Sequence, residues 1–191
     1  MVGTIDDFRA QLVGGGARSN QFKVEILDPP VGSGIDTRNA AFLCTATNLP
    51  GMSIEEIELP FRGRTIRIAG DRDFADPWTV TFLNDTSFAI RNAIENWQNK
   101  INDLATAQQD PAINTSSLAY CADLTVTQLD RDNTALKVYK FINAWPQSIA
   151  QIDLASASAN EIESFEVTWR YQHFITNGIE STSAGQVVLD A

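Results

Sequence analysis

Between positions 165 and 175 the chain reads FEVTWRYQHFI, in which Phe165, Val167, Trp169, Tyr171, His173 and Ile175 alternate with Glu166, Thr168, Arg170 and Gln172. A period of two puts the first set on one face of an extended strand, whereas a helix would scatter it around the axis, so the segment demands a half-buried sheet. The same alternation recurs at Phe22, Val24 and Ile26, at Phe42, Cys44 and Ala46, at Trp78, Val80 and Phe82, at Leu124 and Val126, and at Leu136 and Val138. At Lys140-Phe141 the apolar phase slips, which predicts a bulge, and Trp145-Pro146 then leads into a loop. Helical spacing dominates one long segment only, where Ile90, Ala93, Ile94, Trp97 and Ile101 form an apolar stripe behind a cap at Asp85 or Thr86. A shorter helix is predicted at the start, from Thr4 with Asp7 as a capping box and Ile5, Phe8 and Leu12 on one side, ending at Gly14-Gly15-Gly16 as a hinge. Some seven antiparallel strands with one flanking α-helix define a mainly β fold, a two-sheet antiparallel β-sandwich or open barrel. Such sheets have edges, and neighbouring chains can use them to complete a closed sheet.

With 191 residues, 43% of them hydrophobic, the chain can bury about 70% of its unfolded surface without staples, and a single domain over 1–191 is expected. Cys44 and Cys121 lie in separate apolar stretches and read as reduced core residues. The opening MVGTIDDFRAQL carries acids where a signal peptide carries lysines, and no stretch is apolar enough to span a bilayer, so synthesis in the cytoplasm and no membrane partner are expected. A formal charge of −10 opposes gripping of a phosphate backbone, which draws its affinity from clustered Lys and Arg.

Candidate chemical sites are few. The sole histidine, His173, sits on the aromatic face of its strand and reads as a core or interface residue. Asp71, Asp73 and Asp76 lie in GDRDFADPW, yet the EF-hand template would need Gly where Asp76 stands and Glu where Phe82 stands. With Gly70 turning the chain and Pro77 holding it extended, these aspartates read as the charged approach to a strand. No catalytic residue, metal or cofactor is expected. Residues 54 to 69 read as a hairpin bent between Pro60 and Gly63, with Glu55, Glu56 and Glu58 on one arm and Arg64 and Arg67 on the other. This polarity fits cross-strand pairing within the hairpin, and it fits equally an arm whose charges set register against an identical neighbour.

The ordered motifs resemble the tail tube proteins of contractile-tailed bacteriophages. They run from Phe42, Cys44, Ala46-Thr47 and Leu49-Pro50 through Ala69-Gly70-Asp71-Arg72, Phe74, Asp76 and Trp78-Thr79-Val80-Thr81. They continue with Asn84-Asp85, Trp97-Gln98, Trp145-Pro146, Asn160-Glu161-Ile162 and Phe165-Glu166-Val167-Thr168. The loop at 28–39, the tail after 175 and the insertion of Pro77 depart from the pattern.

The resemblance implies a structural virion protein and no enzyme: a tube subunit assembled as stacked six-fold rings, with an acidic lumen through which DNA passes without specific binding. It implies an N-terminal arm at 1–19, a C-terminal tail at 176–191 and a hairpin at 54–69 that projects to the adjacent ring. The inter-subunit contacts would then fall on Glu55, Glu56, Glu58, Arg62, Arg64, Arg67, Asp71, Arg72 and Asp73. Implied partners are further copies of the chain, the tail sheath protein, a baseplate tube initiator, a tail terminator and a tape-measure protein in the lumen. Alternatives are a baseplate initiator or injection-machine tube of the same fold and, from another class, a carbohydrate-binding or hydrolytic β-sandwich. The last would use Trp78, Trp97, Trp145 or Trp169 as a sugar platform and Asp73 and Asp76 as acids.

Overall fold

The computed structural model describes residues 4–12, 16–114, 116–155 and 161–177. Gly14, Gly15, Asn160 and the tail from 178 lie outside the described residues. The predicted strands form as β1 (Phe22–Leu27), β2 (Cys44–Thr47), β5 (Trp78–Leu83), β6 (Ala122–Leu129), β7 (Ala135–Ile149), β8 (Ser164–Arg170) and β9 (His173–Thr176), with β3 (Ser53–Phe61) and β4 (Arg64–Asp73) making the hairpin. Every ladder is antiparallel. The order β1-β6-β7-β8-β5-β2, with β9 added to β7, is continuous, but β7 divides it into two layers. Its first part pairs β6 and β9, and residues from Trp145 onward pair β8.

The hinge between the layers lies two residues past the predicted phase slip. Leu124 faces Phe141 but Ala122 faces Ala144, so β7 carries an extra residue there. Asn143 adopts φ 53°, and its amide donates to the Asp123 carboxylate at 3.1 Å. A bulge of this kind bends and twists its strand. The strand then continues through Trp145-Pro146 to Ile149, where a loop was expected. Pro146 is tolerated because this half of β7 has β8 on one side only and the register shifts directly after it, the edge and bulge settings that admit proline.

The fold brings the two apolar faces together. Trp78 of one layer stacks on Phe141 of the other with ring centroids 4.3 Å apart. The helix α3 (Ala89–Ile101) closes the core with Ile90, Ala93, Ile94 and Trp97 all buried, as its stripe predicts, and the Trp97 indole meets Trp169 edge-on at 5.4 Å. Its cap differs from expectation: Phe88 in the left-handed region is the capping residue, while the Asp85 carboxylate accepts from the Ala89 amide at 3.0 Å.

Two further expectations are corrected. Residues 37–43 form a short helix, α2 (Thr37–Leu43), capped by the Asp36 carboxylate, which accepts from the amides of Arg38 and Asn39. Phe42 is therefore an exposed helical residue, and β2 begins only at Cys44. In the segment 165–175 the alternation holds through Trp169, but Tyr171-Gln172 break the ladder and shift the phase. Phe174 is buried as a result, and His173 is exposed, with its ring edge-on to Phe74 at 6.4 Å. Cys44 and Cys121 are free thiols, each half-buried and not in the core proper.

Candidate assembly surface

Among the described residues, β1, β2 and β9 each pair on one side only, so the molecule presents unpaired strand edges. The hairpin β3-β4 forms its own two-stranded sheet, and all of β3 is exposed. A two-stranded ribbon with no packed face is marginal in water, so what lies along it matters.

The arm turns at Arg62-Gly63, both at positive φ, with Phe61 directly opposite Arg64. Pro60 is not part of the bend; it sits within β3 opposite Thr65. At the base, Ile54 faces Arg72 and Glu56 faces Ala69, leaving Glu55 opposite both Gly70 and Asp71 in a bulge. A Cβ on Gly70 would lie 3.0 Å from the Glu55 carbonyl oxygen, so glycine permits this close approach and does not turn the chain.

The ladder divides the arm into two faces. On one, Arg67 reaches Glu56 at 3.4 Å and Glu58 at 3.2 Å. These are cross-strand pairs within the hairpin, and as exposed pairs they contribute about 0.2–1 kcal/mol each. The other face carries Ile57 opposite Ile68 and Leu59 opposite Ile66, ending at Phe61. All five side chains are between 46% and 58% exposed. Finishing the burial of one such side chain contributes on the order of 1 kcal/mol, more than an exposed ion pair does. The apolar face therefore has more free energy to gain from being covered than the charge pattern has. Its signal was in the sequence, in the period-two spacing of Ile57, Leu59 and Phe61.

The remaining site residues occupy distinct places. Arg62 lies over the Phe61 ring at 5.4 Å and Arg64 stands beside it at the tip, neither in an ion pair among the described residues. Asp71 and Arg72 are exposed at the base, with an Arg72 Nη1 contact to Met52 Sδ at 3.5 Å. Asp73 accepts from the Ala75 amide at 2.8 Å and shapes the turn from β4 into β5, which Arg170 braces by donating to the Ala75 carbonyl. Among the described residues, no three His, Cys, Asp or Glu side chains converge on a point that could hold a metal ion. Trp78, Trp97 and Trp169 are buried, which removes three of the four aromatic platforms a sugar would need.

Unpaired sheet margins together with a free-standing arm define a class of protein: a β-rich subunit built to join other subunits. Residues 17–177 match the model of the phage tail tube protein family. The chain is 36% identical over 166 residues to the tail tube protein gp19 of Enterobacteria phage T4, covering 86% of this chain and 94% of that one. It is 29% identical over 175 residues to the tail tube protein of Serratia phage KSP90, covering 88% and 94%. The protein belongs to the phage tail tube protein family and is a structural component of the virion. Among solved structures, a chain of the sheath-tube complex of an extracellular contractile injection system superposes with a TM-score of 0.54 at 17% identity, covering 89% of this chain and 97% of that one. A chain of the anti-feeding prophage baseplate gives 0.57 at 13% identity, covering 87% and 98%. At that identity the likeness extends to the fold.

Proposed function

We propose that this chain, as a single domain, is the major tube subunit, that six copies close each ring through their sheet edges, and that rings stack through the β3-β4 arm into a tube whose lumen passes the genome. The observation that carries the reading is the arm: a ribbon whose one face is apolar from Ile57 to Phe61 and is left uncovered by the described residues. Contacts between identical subunits that do not close on themselves propagate along an axis, so the tube grows until a partner stops it. The surrounding sheath, a baseplate initiator, a terminator and a tape-measure protein inside the bore complete that assignment. The 36% identity to a tail tube protein favours the major tube over an initiator of the same fold.

In this reading Arg62, Arg64, Glu55, Asp71, Arg72 and Asp73 face the adjacent ring, while Glu56, Glu58 and Arg67 act mainly by stiffening the arm. Six copies at a formal −10 each carry about sixty negative charges if every group keeps its ordinary ionisation. Directed in part toward the lumen, that charge keeps a moving duplex from adhering. The test is negative-stain microscopy of the concentrated full-length protein, alone and with baseplates. Hollow stacked rings are expected; a protein that stays monomeric on every nucleus refutes the reading.

A further inference from the structure

The first helix, α1 (Ile5–Gln11), buries none of its own residues. Its N-terminal end is nonetheless well made: the Thr4 hydroxyl accepts from the Asp7 amide while the Asp7 carboxylate accepts from Thr4, a complete capping box. Ile5 and Phe8 are 78% and 68% exposed, and Leu12 continues the same stripe one turn on. A seven-residue helix has little stability of its own, so a cap and an apolar stripe without a partner point to burial elsewhere. Among the described residues two apolar surfaces are therefore unpartnered, one per element, and neither covers the other.

Their sizes and charges match. The helix is about 10 Å long, and Ile57 to Phe61 spans about 14 Å of strand. The arm's apolar face ends at its tip in Arg62 and Arg64, and Glu55 stands at its base. The helix begins with Asp6 and Asp7 and carries Arg9 in its last turn. Laid with its N-terminal end at the arm's tip, the helix places acids by the two guanidinium groups and Arg9 toward Glu55, with Ile5, Phe8 and Leu12 over the isoleucines and Leu59. Each copy owns one arm and one helix, so a head-to-tail stack fills both on every subunit between the two end rings.

Resting on the tube reading above, we propose that the apolar face of the β3-β4 arm receives helix α1 of a second copy in the adjacent ring. The test places one cysteine on each surface, Phe8→Cys with Leu59→Cys, in a Cys44→Ser, Cys121→Ser background, and oxidises assembled tubes. A denaturing gel is expected to show a ladder extending past six copies, absent from either single-cysteine variant. Tubes that give no ladder, or only an internally linked monomer, overturn the proposal. Should the cysteine variant not assemble, Phe8→Asp decides: the expected result is at least a tenfold loss of tubes with unchanged thermal melting of the subunit. Normal tubes from Phe8→Asp overturn it, including normal tubes that no longer accept sheath, which would assign α1 to the sheath. Failure of the unaltered protein to form tubes under any condition strikes the tube reading instead.

Discussion

Burial pushes the Cys44 and Cys121 thiols up to about 11 from an ordinary 9.0, outweighing the opposing hydrogen bonds with the Ala46 carbonyl and the Tyr120 hydroxyl. Each raised value stabilises the fold fully below pH 9, and that contribution disappears as pH climbs through about 11. Since the thiolate is the reactive form, both residues should resist a maleimide or disulfide reagent at pH 8 in the folded subunit and react at least tenfold faster in urea. Mass spectrometry of the labelled chain reads this directly, and rapid labelling of the native protein at pH 8 would contradict it. Carboxylates behave in the opposite sense. Asp7, Asp85, Asp103, Asp110 and Asp132 are held below their ordinary value chiefly by hydrogen bonds from nearby backbone and side-chain donors. Their contribution to caps and turns is complete above that value and is lost as pH falls below it, so acid loosens the helix caps and loops before the aromatic core. Gly70 shows how much a single position decides: with no Cβ, the two strands of the arm approach closely where Glu55 opposes two residues.

Among the helices, α3 packs most deeply into the core: Trp97 sits fully buried against Trp169, and its indole N–H donates to the Tyr120 carbonyl at 2.7 Å. Trp97→Ala should cost about 3–5 kcal/mol, measurable as a lower urea midpoint, and a shift below 1 kcal/mol would mean the helix is not integral to the core. The stripe that places Trp97 was legible in the sequence, as were β1, β5 and the hairpin, because each shows an uninterrupted period. Elements whose period is broken were not. Residues 37–43 lack a helical stripe and are set by one Asp36 cap, and β7 hides its length because Asn143 and Pro146 imitate the end of a strand. His173 was misplaced because a two-residue break shifts the phase, an event no alternation rule anticipates. In the candidate assembly surface the charges are legible at sight, and the apolar face is equally so, because Ile57, Leu59, Ile66 and Ile68 alternate as regularly as any core strand.

For the whole molecule, the role proposed for the charge is to withhold affinity. A subunit at −10 repels a polyanion at low ionic strength most strongly, so assembled tubes should leave duplex DNA unshifted in a gel at 20 mM salt and at 150 mM alike. A shift at low salt that vanishes at higher salt would reveal a basic lining and refute the acidic-lumen proposal. The strand β7 gives this molecule its mechanical character. It belongs to both layers, with β6 and β9 along its first part and β8 along its second. A shearing force applied to one layer therefore reaches the other through peptide bonds and not only through side-chain contact, and the two cannot slip past each other unless the ladders on β7 are torn. In the proposed tube, units braced in this way resist twist and bending as a stiff rod does.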